Sequence, residues 1–181
     1  MKSRILPVIT VLSTFLAFSC QKGDGEADCG NSLIYIPQAT VSGGIDNYYN
    51  VPSGAAENTY NFGVSETDVD IYLGVMLSGK KTSSGFSVGI VEDSEASAAA
   101  AVSLGATVLP SSAYDLPFVV NVASGKNSGM FNLALHKAFI PENSGTYVLA
   151  LKLAASSDYE LSSKATSVVV VIDVDSLKKY L

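Results

Sequence analysis

In "VDIYLGVML", residues 69–77, apolar residues recur at every second position. Val69, Ile71, Leu73, Val75 and Leu77 fall on one side of an extended chain, and Asp70, Tyr72, Gly74 and Met76 fall on the other. Apolar side chains at every second position mark a strand with one buried face, because successive strand side chains point to opposite faces. The same period recurs downstream. In "MFNLALHKAF", Phe131, Leu133 and Leu135 alternate with Asn132, Ala134 and His136. In "TYVLALKLA", Tyr147, Leu149, Leu151 and Leu153 alternate with Val148, Ala150 and Lys152. "SVVVVIDV", residues 167–174, is nearly all β-branched and reads as a strand covered on both sides. "SLIYIP", "NTYNFGV", "GFSVGIV" and "PFVVNVA" supply further strands.

Turn signals separate these runs: Ser42-Gly43-Gly44, Pro52-Ser53-Gly54, Ser83-Ser84-Gly85, Ser124-Gly125-Lys126-Asn127 and Glu142-Asn143-Ser144-Gly145. Short strands at this spacing predict a β-sandwich. One segment departs from the pattern. "DSEASAAAAVSLG" offers Asp93 or Ser94 as an N-cap, an acid in the first turn, an alanine run, and Gly105 as a C-cap. It predicts one helix of roughly ten residues that crosses between strands. The expected fold class is all-β, with one domain over 32–176 and a short C-terminal tail over 177–181.

Composition narrows the function. Hydrophobic residues make up 48% and charged residues 15%, which is a globular and not a disordered balance. The formal net charge is −6, and the densest basic clusters are only Lys80-Lys81 and Lys178-Lys179. An acidic chain without a basic patch is a poor partner for nucleic acid.

The N-terminus follows different rules. Lys2 and Arg4 precede "ILPVITVLSTFLAFS", residues 5–19, in the order of a secretory signal's charged and apolar regions. The run is short for a membrane span, which needs about 20 residues. Pro7 and the lack of a polar face fit a buried helix or strand poorly. Ala17-Phe18-Ser19 then lead into Cys20, and this resembles the lipobox of bacterial lipoproteins. Phe18 is larger than the strict pattern prefers. The resemblance implies a signal peptide over 1–19, lipid on Cys20 and a flexible tether over 20–31. A lipid-bearing Cys20 cannot pair with Cys29, so no internal disulfide is expected. Cutting before Cys20 removes two of the 11 basic residues and none of the 17 acidic ones, moving the net charge from −6 to −8. Asp24, Glu26 and Asp28 follow the cysteine, similar to a surface-export signal of Bacteroidota, although a solvated tether would look the same.

The order of features resembles the DUF1735 family, a domain type of Bacteroidota surface lipoproteins. "YIP" at 35–37 matches the opening strand. Leu109-Pro110 and Tyr114 match the pattern after the crossover, and Gly125 matches the close of the next strand. Tyr147-Val148-Leu149 match the segment before the last strands, with Ala150 where the family has proline. The likeness spans roughly residues 32–175. It implies an immunoglobulin-like β-sandwich at the cell surface, tied to glycan capture and breakdown, and carries no catalytic residues.

"GFSVG", Gly85–Gly89, has the spacing of a nucleophile elbow, but that device needs a sharp turn between a strand and a helix. Ser87 instead sits inside an alternating run. His136 is the only histidine and faces away from Phe131, Leu133 and Leu135. One histidine and one free cysteine make no common zinc site. The acid pairs Asp68/Asp70 and Asp173/Asp175 share strand faces; such pairs more often keep strand ends solvated than hold Ca²⁺ or cleave glycosides. Sugar binding uses flat aromatic faces ringed by amides and carboxylates. There is no Trp, so the best candidates are Tyr48, Tyr49, Tyr60 and Asn47. Tyrosines capping a sandwich edge with their hydroxyls in water are the plainer alternative.

The sequence therefore predicts a non-catalytic protein with no cofactor and no metal, lipid-anchored to the outer membrane and facing the exterior. Its expected role is an accessory or glycan-binding part of polysaccharide utilisation. The expected partners are the membrane, a glycan, and other surface lipoproteins or an outer-membrane transporter. A structural or assembly subunit of a surface complex, adhesin- or fimbria-like, is the alternative.

Overall fold

A computed structural model describes residues 32–41, 47–79 and 84–181. The signal, the lipid site Cys20, Cys29 and the turn 42–44 lie outside the described residues. In chain order the elements begin with β1 (Leu33–Tyr35), the single turn α1 (Gln38–Val41) and β2 (Tyr48–Val51). A 3-10 turn at Glu57–Thr59 leads to β3 (Phe62–Val64), β4 (Asp68–Leu77) and β5 (Phe86–Glu92). Then come α2 (Ser94–Leu104), β6 (Thr107–Val108), β7 (Tyr114–Asp115), β8 (Val119–Val122) and β9 (Ser128–His136). The single turn α3 (Phe139–Glu142), β10 (Thr146–Ser156), β11 (Glu160–Leu161) and β12 (Ser167–Asp173) follow. Another turn, α4 (Val174–Leu177), and a 3-10 turn at Lys178–Tyr180 complete the chain.

The strands form two sheets, making the expected immunoglobulin-like β-sandwich. One sheet runs β11-β1-β4-β9-β7, with β3 also paired to β4; the other runs β2-β12-β10-β5-β8, with β6 also paired to β10. The predicted alternation sets the inner faces. Val69, Ile71, Leu73, Val75 and Leu77 of β4 have at most 1% of their surface exposed. Leu133 and Leu135 of β9 and Leu151 and Ile172 of β10 and β12 are fully buried in the same core. Burying each such side chain stabilises the fold by about 1.5–3 kcal/mol relative to exposure.

Two strands differ from expectation. β10 was expected to bury one face, yet Val148 and Ala150 on its outer face are also fully buried. The crossover helix α2 lies over them. β12 was expected to be covered on both faces, yet only Val168, Val170 and Ile172 are fully buried, while Val169 and Val171 are half-buried. Its β-branched run reflects an inner position between β2 and β10, hydrogen-bonded along both edges. The segment expected as a tail also packs. Leu177 is fully buried, and Tyr180 lies edge-on to Tyr60 and Phe62.

The helix α2 forms as its caps predict. Asp93 is the N-cap, its carboxylate accepting from the Ala96 N–H at 3.1 Å. Gly105 takes the left-handed conformation (φ 61°) that ends the helix without a side-chain clash. The helix is bound to β10 by backbone and side chain alike. The Asp93 N–H donates to the Ala150 carbonyl at 2.8 Å. The Ala150 N–H donates to Ser97 Oγ at 2.8 Å, and that hydroxyl donates onward to the Asp93 carbonyl at 2.8 Å. The Lys152 ammonium, 2.9 Å from Asp93, holds the Asp93 carboxyl below the ordinary carboxylate range, helped by the Ala96 N–H.

Ser97 is 1% exposed, so its removal strands the Ala150 N–H in the protein interior. Ser97→Ala is expected to cost about 1–3 kcal/mol, read as a lower urea midpoint with an unchanged m-value.

Candidate functional site

The tyrosines singled out by sequence part company in the fold. In β2, Tyr49 pairs with core-facing Val170 and Tyr48 with outward-facing Val169, so neighbouring tyrosines point to opposite faces. Tyr49 packs against the core, and its hydroxyl donates to the Tyr72 carbonyl at 3.0 Å, joining one sheet to the other. Burial pushes that hydroxyl's pKa up. The Asn47 carbonyl accepts from the Val169 N–H at 2.9 Å and extends the sheet. Tyr60 lies apart from them, on the approach to β3.

Tyr60 belongs to a different constellation. Its ring stacks on Phe62, with centroids 5.4 Å apart and planes 9° from parallel. Tyr180 stands almost perpendicular to both, 5.1 Å from each centroid. These rings line an open cleft of about 480 Å³ together with Glu57, Gly63 and Tyr72. Tyr72 projects from the outer face of β4 and lies across Gly63 of β3, where a methyl group would collide with its hydroxyl. Glycine therefore lets the Tyr72 hydroxyl end approach the neighbouring strand closely. Burial raises the Tyr60 phenol above its ordinary pKa, and Tyr180 and Glu57 add to the shift. Aromatic faces with phenol hydroxyls and one carboxylate at the edge can pack against C–H faces and accept hydrogen bonds from hydroxyls.

Sequence reasoning found Tyr60 but missed Phe62, Tyr72, Tyr180 and Glu57. Phe62 and Tyr72 read as ordinary strand residues, and Tyr180 lay in a segment expected as a tail. The one local signal was the glycine of "NFGV" beside an outward tyrosine on the adjoining strand.

The remaining candidates have structural surroundings. Ser87 is interior to β5, and its N–H donates to Ser157 Oγ at 3.1 Å; no strand-turn-helix elbow is present at this serine. His136 Nε2 lies 3.2 Å from Asp115 and links β9 to its edge neighbour β7. Asp173 and Asp175 were expected to share a strand face. Instead Asp173 ends β12 and caps α4, accepting from the Ser176 N–H, while Asp175 lies in α4 and accepts from the Gly145 N–H. The chain turns helical at Asp173, which breaks the strand period. Among the described residues, no three His, Cys, Asp or Glu side chains converge as a metal site requires.

A second cleft of about 370 Å³ is lined by Ile90, Glu92, Tyr114, Asp115, Leu116 and Phe118, among others. Burial pushes the Tyr114 hydroxyl well above the usual phenol range, and Glu92 beside it adds to the effect.

The fold and the first cleft define a β-sandwich domain with an open aromatic recess at one sheet edge. A family model described as "-like, N-terminal domain" matches residues 31–160. The chain belongs to this family and is a DUF1735-type domain of Bacteroidota. No curated protein matches it. Among solved structures, a "putative carbohydrate binding protein" from Bacteroides ovatus is similar at 17% identity and a TM-score of 0.52, over 78% of this chain and 36% of that one. A two-domain protein of unknown function from Bacteroides fragilis is similar at 14% identity and a TM-score of 0.53, over 81% of this chain and 46% of that one. A further Bacteroides ovatus protein of unknown function gives 14% identity and a TM-score of 0.50, over 78% and 45%. The chain thus spans less than half the length of these three proteins.

Because the only atom obstructing a Cβ at Gly63 within 3 Å is the far end of a side chain, Gly63→Ala is expected to swing Tyr72 aside at little cost to the fold. Stability should change by less than about 1 kcal/mol in urea unfolding, while the near-UV circular dichroism of the tyrosines changes.

Proposed function

We propose that this domain is a non-catalytic glycan-binding or accessory component of polysaccharide utilisation, held on the outer membrane by lipid on Cys20 and facing the exterior. It works there beside other surface lipoproteins or an outer-membrane transporter. One observation carries the reading: Tyr60, Phe62, Tyr72 and Tyr180 converge on an open cleft with Glu57 at its edge. Family membership supports it, as does the fold shared with a Bacteroides ovatus protein described as carbohydrate binding.

A single specific feature favours the assembly reading. Phe118 is 82% exposed and Val119 52% exposed, and they lead into β8, an edge strand of its sheet. An apolar edge strand is a template for pairing with another chain.

Glycan arrays and calorimetry separate the two. On the binding reading, the protein retains at least one host or plant glycan, and Tyr60→Ala or Tyr180→Ala weakens it roughly tenfold, about 1.4 kcal/mol, without unfolding. Silence across the array, together with a stoichiometric protein partner in membrane pull-downs, would replace binding with assembly. The anchor has its own check. Cys20→Ala should leave the domain folded and move it from the membrane to the soluble fraction, since the acyl chains supply about 0.8 kcal/mol per buried CH₂. A variant that stays in the membrane fraction defeats the anchor proposal.

A further inference from the structure

We infer that the cleft at the β3 edge selects uncharged sugar rings and rejects acidic ones, with Glu57 as the selecting group and Tyr180 as the wall that completes the site. This rests on the glycan-binding reading and names the class of sugar for the same cleft. Among the described residues, the lining supplies one carboxylate, three phenols and the Phe62 ring, and no cation. The two lysines nearest Tyr180 in sequence stand outside the lining. Lys178 Nζ lies 3.3 Å from Asp175, and neither Lys178 nor Lys179 lines the cleft. The chain as a whole is also acidic, at −6.

The chemistry follows from these groups. A carboxylate accepts hydrogen bonds and donates none, so Glu57 suits the hydroxyls of a neutral ring. A uronate or sulfate in the same place meets like charge with no counter-ion among the described lining residues. Tyr180 lies beyond the residues that the family model matches, 31–160. Val174 and Leu177, both fully buried, seat the turn that carries it.

The experiment uses the full-length chain in detergent and titrates matched hexasaccharides calorimetrically. Cellohexaose, xylohexaose and mannohexaose are the neutral probes; hexagalacturonate and a heparin hexasaccharide are the acidic ones. At least one neutral probe should bind roughly tenfold or more tightly than either acidic probe at low salt. Glu57→Gln keeps the shape and removes the charge, so it should weaken the neutral probe severalfold and erase most of the discrimination. Tyr180→Ala should weaken the neutral probe while lowering the urea midpoint only modestly, with a single cooperative transition retained. Acidic probes that bind as well as neutral ones, or a discrimination unchanged in Glu57→Gln, would overturn the selectivity and leave glycan binding standing. No binding of any probe, with silence on the wider array, would overturn both.

Discussion

Five side chains that β4 sends inward, Val69 to Leu77 at alternate positions, are the constraint on which the structure depends. A strand with such a face cannot remain in water, and a single sheet cannot cover it. The second sheet supplies the cover through Leu149, Leu151 and Leu153 of β10 and Val168, Val170 and Ile172 of β12. Because β4 is hydrogen-bonded to β9 on one side and to β1 and β3 on the other, its outer face lies against no second sheet. Tyr72 stands on that face, and the cleft is built around it.

The same logic explains the helix. A strand in a sandwich needs one apolar face, yet β10 carries Val148 and Ala150 on the other. Helix α2 covers them, and Ser97 replaces the strand partner that the Ala150 N–H lacks there. A polar side chain inside an alanine-rich helix is tolerated because both of its hydrogen-bonding roles are filled.

The candidate site was legible only in part. Tyr60 was visible as a tyrosine among amides and acids, but Tyr48 and Tyr49 next to it were misleading company. Adjacent residues of a strand face opposite ways, so the pair cannot form one platform. Tyr49 serves instead as a buried link between sheets through the Tyr72 carbonyl. Glu57 had no pattern to mark it, because its 3-10 turn is defined by the loop that closes onto β3 and not by any periodicity.

From the sequence alone came the features governed by neighbours along the chain. These are the alternating faces of β4 and β9, the Asp93 and Gly105 caps and the strand position of Ser87. Each depends on the period of a strand or on the first and last turns of a helix, which local residues determine. Tertiary structure alone decided what faces the cleft. Tyr180 meets Tyr60 and Phe62 from the far end of the chain because Leu177 is buried and draws the last turn onto the sandwich. The Tyr72 hydroxyl end reaches over β3 because that strand presents glycine there. Contacts between residues remote in sequence are set by how the sheets pack, and no local pattern records them.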